Sequence, residues 1–366
     1  MSHGGDIYRN KVNMDFSVNL NPLGPQEEIL NAIRNSIGMA SKYPDLEQEG
    51  LREILATALG LNRNYVFAGN GASELMMAVV RAVKPRKALL FEPVFSGYEY
   101  ALKSLEYSDY ENYEKNRSRI LKYQLEEDND FRLTEEDLHV INEDIDLIFL
   151  CDPVNPTGWN IDEDILIKIL DKAKSNNTYV CIDESFFLMS DKALYDMDTG
   201  KANRAELVRR YDNLIIIRSL TKLLAMPGIR MGYVLSSPQN IQRIKKQLPE
   251  WNLSVTSEAA IREGMRVITE TDFIQKVVAE IRCERSYLQN ELKNLGFKIF
   301  DSDTSFLFFK GPENLYEKLL EENILIRDCS DFSGLQKGFY RIAVKSHREN
   351  VELIRVLREL TVNSFN

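Results

Sequence analysis

At 366 residues, 44% apolar and 28% charged, the chain is long enough for two or three domains with cores of their own. Its 46 basic residues against 56 acidic ones leave a net charge of -10 and no basic block, which argues against nucleic acid or an anionic membrane as partner. Three histidines lack metal-ligand spacing, Cys151, Cys181, Cys283 and Cys329 form no CxxC pair, and no run of ~18 apolar residues occurs; no metal, reduced thiols and a cytoplasmic, membrane-free protein are the expectations.

The chain opens on His3-Gly-Gly-Asp-Ile-Tyr-Arg9 and Asp15-Phe-Ser-Val-Asn-Leu-Asn-Pro-Leu-Gly24. Asn21-Pro22 and Gly24-Pro25 are turn chemistry, so this is an arm with a tight bend, a frayed terminus being the alternative. Helices are predicted over 27–37 and 46–59, the second preceded by a turn tyrosine, Tyr43. Val66-Phe-Ala68 reads as a strand, Gly69-Asn-Gly-Ala-Ser-Glu74 as a glycine turn and 75–83 as a helix. That arrangement leaves N–H groups free at a helix start, an anion site, although Gly-x-Gly alone is a weak signal.

Lys87-Ala-Leu-Leu-Phe-Glu92 is a further strand, followed by Pro93-Val-Phe-Ser-Gly-Tyr98. Residues 105–130 are polar and aperiodic, which suits edge strands and surface loops. Ile145-Asp-Leu-Ile-Phe-Leu-Cys151 is a buried strand ending in the rigid turn Asp152-Pro-Val-Asn-Pro-Thr-Gly158, at the strand end where α/β folds place ligands. A helix over 162–174 leads to the strand Thr178-Tyr-Val-Cys-Ile-Asp183, which ends on a carboxylate. Leu214-Ile-Ile-Ile217 and Arg230-Met-Gly-Tyr-Val-Leu235 are strands as well. After a long amphipathic helical region reaching about Leu295, the pattern changes. Strands over 297–300, 305–309, 324–327 and 339–344 alternate with helices and point to a separate α+β domain.

Between the strands at 214–217 and 230–235 lies Ser219-Leu-Thr-Lys-Leu-Leu-Ala-Met-Pro-Gly-Ile-Arg-Met-Gly232. A lysine in a partly apolar pocket beside positive charge loses its proton readily and suits Schiff-base chemistry. The hydroxyls of Ser219 and Thr221, with the fork of Arg230, suit a phosphate dianion. The plain alternative is a solvated lysine at a strand end with a structural arginine.

The stretch resembles the lysine signature of the class I/II aminotransferases, a pyridoxal-phosphate-dependent family of fold type I. The arm residues HGG and DFSVNLNPLG resemble its histidinol-phosphate aminotransferase and threonine-phosphate decarboxylase branch. By that resemblance Lys222 carries the cofactor as a Schiff base and moves the proton. Ser219, Thr221, Arg230 and the turn Gly71, Ala72 and Ser73 bind the cofactor phosphate. Phe95 lies over the ring, Asn155 meets its phenolic oxygen, and Asp183 keeps its nitrogen protonated. Arg341 and Arg327 meet substrate anions, with Asn21 and His3 as arm contacts. Tyr43 reaches the partner's cofactor phosphate, which implies a homodimer. Each has a plainer reading: a core phenylalanine, a structural turn, a helix-capping aspartate, a salt bridge from Arg327 to Asp328 or Asp331. Many family members carry a tyrosine three residues after the aspartate, where this chain has Phe186. That removes one hydrogen bond to the cofactor and fits the decarboxylase type better.

The fold implied is α/β. A large, mostly parallel sheet domain flanked by helices covers 40–240, and a smaller α+β domain covers 241–366 with part of the arm, 1–39. The activity implied is transamination between a small amine or amino acid, phosphorylated or phosphonate-bearing, and a 2-oxo acid. A threonine-phosphate decarboxylase-like lyase is the alternative.

Overall fold

The computed structural model describes residues 4–107, 119–194 and 204–362. The strands in it are β1 (Met14–Asp15), β2 (Val66–Gly69), β3 (Lys87–Glu92), β4 (Arg119–Gln124), β5 (Leu147–Cys151), β6 (Tyr179–Asp183), β7 (Leu214–Ser219), β8 (Gly232–Ser236), β9 (Lys298–Ile299), β10 (Phe306–Lys310), β11 (Ile324–Leu325), β12 (Arg327–Asp328) and β13 (Phe339–Ala343). The helices are α1 (Glu27–Ser36), α2 (Glu49–Leu59), α3 (Ala72–Val83), α4 (Gly97–Lys103), α5 (Glu163–Ser175), α6 (Leu207–Arg210), α7 (Leu220–Leu223), α8 (Pro238–Lys245), α9 (Val255–Glu270), α10 (Phe273–Asn294), α11 (Leu315–Glu321) and α12 (His347–Val362).

The larger sheet has the order β2-β8-β7-β6-β5-β3-β4. Its pairings are parallel except the two that β8 makes. Helices cover both faces, which is why β5, β6 and β7 read as unbroken apolar runs. Successive residues still alternate between faces. Ile148, Ile182 and Ile216 enter one core with α2, α5 and α9, while Phe149, Cys181 and Ile215 enter the other with α3, α4 and α8. Each such buried side chain contributes about 1.5–3 kcal/mol of transfer free energy.

The smaller sheet, β12-β13-β10-β9, is antiparallel and shares an apolar cluster with α10, α11 and α12. The predicted strand at 324–327 divides here: β11 pairs with the arm strand β1, and β12 with β13. From residue 13 the arm is strapped down. Asn13 N–H donates to Asn323 at 2.8 Å, Phe16 N–H to Leu325 at 2.7 Å, and Ala343 N–H to the Phe16 carbonyl at 2.8 Å. The strap brings Ser17, Val18 and Asn19 over the carboxyl ends of the large sheet.

Candidate active site

The carboxyl ends of β5, β6 and β7 open on a cavity of about 670 Å³, within the range of small-molecule sites. It is walled by the arm, the start of α3, Phe95, Asn155, Phe186, the small-sheet residues Arg327 and Arg341, and Phe332 from the loop between β12 and β13. Among the described residues no group of three His, Cys, Asp or Glu is arranged to hold a metal.

Lys222 enters this cavity from α7, the single helical turn after β7. Burial, then Arg341 and Arg230, pull its proton affinity down from 10.5 to about 8, against the opposing pull of Asp183. Asp183 ends β6 and is itself buried. Its Oδ2 accepts from the Tyr98 hydroxyl at 2.9 Å, and its Oδ1 accepts from Ser185 N–H at 3.0 Å. Burial raises its pKa, and the Ser185 and Tyr98 hydrogen bonds work the other way. It caps no helix. Tyr98 is fully buried and stacked on Phe149 with centroids 4.9 Å apart, so the carboxylate rests on a fixed partner.

One wall is an anion cradle. Gly71 precedes α3 at φ 79°, ψ 175°, a region essentially reserved for glycine, and a Cβ there would stand 3.1 Å from Arg230 Nη2. The twelve-residue α3 therefore presents the free N–H groups of its first turn beside a guanidinium. Glu74 reaches back to accept from Asn70 N–H at 2.8 Å and fixes the turn. Ser219 and Thr221 share a hydroxyl–hydroxyl bond of 2.7 Å on the same wall.

The opposing arginines come from the small sheet, where Arg327 and Arg341 are cross-strand partners. Arg341 is buried, and burial lowers its pKa to about 10. It donates to Asn155 Oδ1 and, at 2.8 Å, to the Ser17 carbonyl. Arg327 makes the salt bridge to Asp331 at 2.6 Å and also lines the cavity. Phe95 lines the cavity with its ring edge-on to Tyr98 at 5.6 Å, and a Cβ on Gly97 would come within 2.2 Å of it. Phe186 packs edge-on against Phe306 at 5.1 Å.

Three predicted residues stand apart. Asn21 does not line this cavity: its Nδ2 donates to the Leu223 carbonyl at 2.9 Å and its Oδ1 accepts from Leu23 N–H at 2.9 Å, so it ties the arm to α7. Tyr43 is 79% exposed and packs on Trp251 at 4.8 Å. His3 lies outside the described residues. Sequence reasoning passed over Tyr98, Ser185, Ser17 and Asn19. The Asn19 Oδ1 is buried in the cavity wall with no hydrogen-bond partner among the described residues. The one available signal was its place two residues before Asn21, in the motif already singled out.

A half-buried lysine of lowered proton affinity between a phosphate cradle and a buried carboxylate is the donor set a phosphorylated aldehyde on a pyridine ring requires. The model for aminotransferase class I and II matches residues 11–358. The chain belongs to that family. A provisionally named threonine-phosphate decarboxylase of Caldanaerobacter subterraneus subsp. tengcongensis is 34% identical over 98% of this chain and 93% of its own. The solved histidinol-phosphate aminotransferase of Clostridium acetobutylicum superposes with TM-score 0.83 at 29% identity, covering 96% of this chain and 99% of the other. A solved histidinol-phosphate aminotransferase of Sinorhizobium meliloti, 21% identical with TM-score 0.79 over 95% of this chain and 92% of its own, is in complex with pyridoxal 5'-phosphate. The fold is the fold type I architecture, and the enzyme is a pyridoxal-phosphate-dependent member of the aminotransferase family.

Proposed function

We propose that this aminotransferase-family enzyme passes the amino group of a small amine bearing a phosphate or phosphonate to a 2-oxo acid. The observation that carries the substrate class is the pair Arg327 and Arg341, side by side on the small-sheet wall in addition to the Arg230 cradle. One cradle would serve the cofactor phosphate, and Arg341 with Arg327, the latter shared with Asp331, would meet substrate anions.

Pyridoxal phosphate supplies an electron sink for the bond broken at the substrate α-carbon. Ser219, Thr221, Arg230 and the start of α3 would hold its phosphate, and Phe95 would lie against its ring. Asp183 would keep the ring nitrogen protonated. The Asn155 oxygen is taken by Arg341, which leaves its amide N–H₂ to donate to the phenolic oxygen. Lys222 would hold the cofactor through its neutral amine and would take the α-proton as general base. With Phe186 in place of a phenol, Asn155 is the partner we assign to that oxygen. We further propose a homodimer in which Tyr43 serves the neighbouring subunit. Buried free thiols at Cys151, Cys181 and Cys329 support the cytoplasm as its compartment.

The decarboxylase reading draws on the 34% identity to the Caldanaerobacter protein and on Phe186. One experiment separates the two. Threonine phosphate, histidinol phosphate and aminoethylphosphonate are each incubated with and without 2-oxoglutarate, and glutamate and carbon dioxide are followed. Transamination needs a 2-oxo acid to receive the amino group, so turnover stops without an acceptor; decarboxylation needs none. Acceptor-dependent glutamate is the expected result. Sustained carbon dioxide release without acceptor establishes the lyase. Turnover of plain amino acids alone removes the phosphate tail and leaves the cofactor assignment standing.

A further inference from the structure

Asp152, Glu184, Arg204 and Arg218 have no part in the roles above, yet they form a chain of alternating charge directly beneath the site. The side chains of Asp152, Glu184 and Arg204 are wholly enclosed. Arg204 Nη1 meets Asp152 Oδ2 and stands 3.5 Å from Glu184 Oε1, and Arg218 Nε meets Glu184 Oε2 at 2.6 Å. Both guanidiniums lie over the Phe187 ring, at 4.8 and 5.9 Å.

The position of the four matters more than their number. Asp152 follows β5 and precedes Asn155 by three residues, Glu184 follows Asp183 directly, and Arg218 lies one residue before Ser219 and four before Lys222. The backbone repeats the pattern: Asp152 N–H donates to the Asp183 carbonyl at 3.0 Å and Glu184 N–H to the Ile217 carbonyl at 2.8 Å. Asp152 Oδ1 also fixes the turn, accepting from Asn160 Nδ2 at 2.8 Å and Ile161 N–H at 3.0 Å. Arg204 is thus the cation between two enclosed carboxylates, each the first residue after one of the neighbouring strands β5 and β6. Without it Asp152 has no cation and Glu184 keeps Arg218 alone, and those strand ends carry the residues assigned to the cofactor ring. Buried ion pairs are often no better for stability than apolar side chains of the same size, so stability alone does not account for four charges here.

We propose that Arg204 is a positioning residue: by bridging Asp152 and Glu184 it sets the Asp183 carboxylate against the cofactor ring nitrogen. The idea rests on the pyridoxal-phosphate reading, and the test keeps the two apart. Apoprotein is titrated with pyridoxal 5'-phosphate and with its analogue in which CH replaces the ring nitrogen. Borohydride fixation of pyridoxal phosphate at Lys222 checks the cofactor reading independently. A hydrogen bond to an ionised carboxylate makes the native apoprotein favour the nitrogen ring by about 10- to 100-fold. Because Arg204→Met leaves the enclosed Asp152 carboxylate without its cation and risks unfolding, the variant measured is Arg204→Met with Asp152→Asn, which restores charge balance. Its expected behaviour is a cooperative melt close to that of the native protein, intact borohydride fixation, and a preference reduced to about threefold or less, an ångström-scale displacement being enough to lose the bond. A preserved preference overturns the proposal. So does loss of the cooperative melt, which would make the network a folding device.

Discussion

Lys222 must be neutral to bond an aldehyde yet is an ammonium in water at pH 7, and its surroundings resolve that conflict. With a pKa of about 8, roughly a tenth of the lysine is neutral at pH 7, on the order of 100-fold more than for a free lysine. The sign is that of a depressed cation: the amine is protonated and unreactive below about 8 and available above it. Capture of pyridoxal phosphate by the apoprotein, followed by absorbance, is therefore expected to quicken as pH rises through about 8 and to level off above it. Among the charged neighbours Arg341 lowers the lysine's proton affinity most, so Arg341→Met moves the midpoint to higher pH and slows capture at pH 7; an unmoved midpoint refutes the coupling. Lys222, Arg230 and Asp183 were legible because each lies inside a short local pattern. Tyr98 was not, because its bond to Asp183 spans 85 positions and nothing near Tyr98 announces it. Arg204 lay hidden for the same reason, 52 positions from Asp152.

At the scale of elements, unbroken apolar runs ending in turn residues located the strands that carry the site, and β3 matches its predicted bounds. The direction of β8 was not legible, because side-chain periodicity is the same for a strand and its reverse. Nor was the division at Ile326, which depends on pairing with an arm more than 300 residues away. The strand–turn–helix at Gly71 is where local pattern and chemistry meet. Gly71→Ala forces an L side chain into a backbone region that costs of order 1–3 kcal/mol, and its methyl would crowd the Arg230 fork. The apoprotein is expected to melt at lower temperature, and the affinity for pyridoxal phosphate to fall more than that for pyridoxal, which lacks the phosphate. Equal losses for the two ligands would place the cradle elsewhere.

For the molecule as a whole, the cavity is assembled from segments far apart in the chain: the arm, the carboxyl edge of the large sheet and two strands of the small one. Tyr43 lies outside it, 79% exposed beside the half-exposed Trp251, and a phenol on that surface cannot serve its own subunit's cofactor without leaving its place. A second copy would both cover this aromatic pair and bring the hydroxyl to a phosphate. Subunit mixing tests this directly. Lys222→Ala lacks the amine proposed to hold the cofactor, and Tyr43→Ala lacks the group proposed to serve the neighbour, so in the proposed dimer each variant alone would be impaired at both of its sites. A mixed dimer has one doubly damaged site and one with both native groups. After equal amounts of the two variants are unfolded and refolded together, random pairing restores about a quarter of native activity. Activity no higher than the average of the parents would mean that Tyr43 plays no part in the neighbouring site.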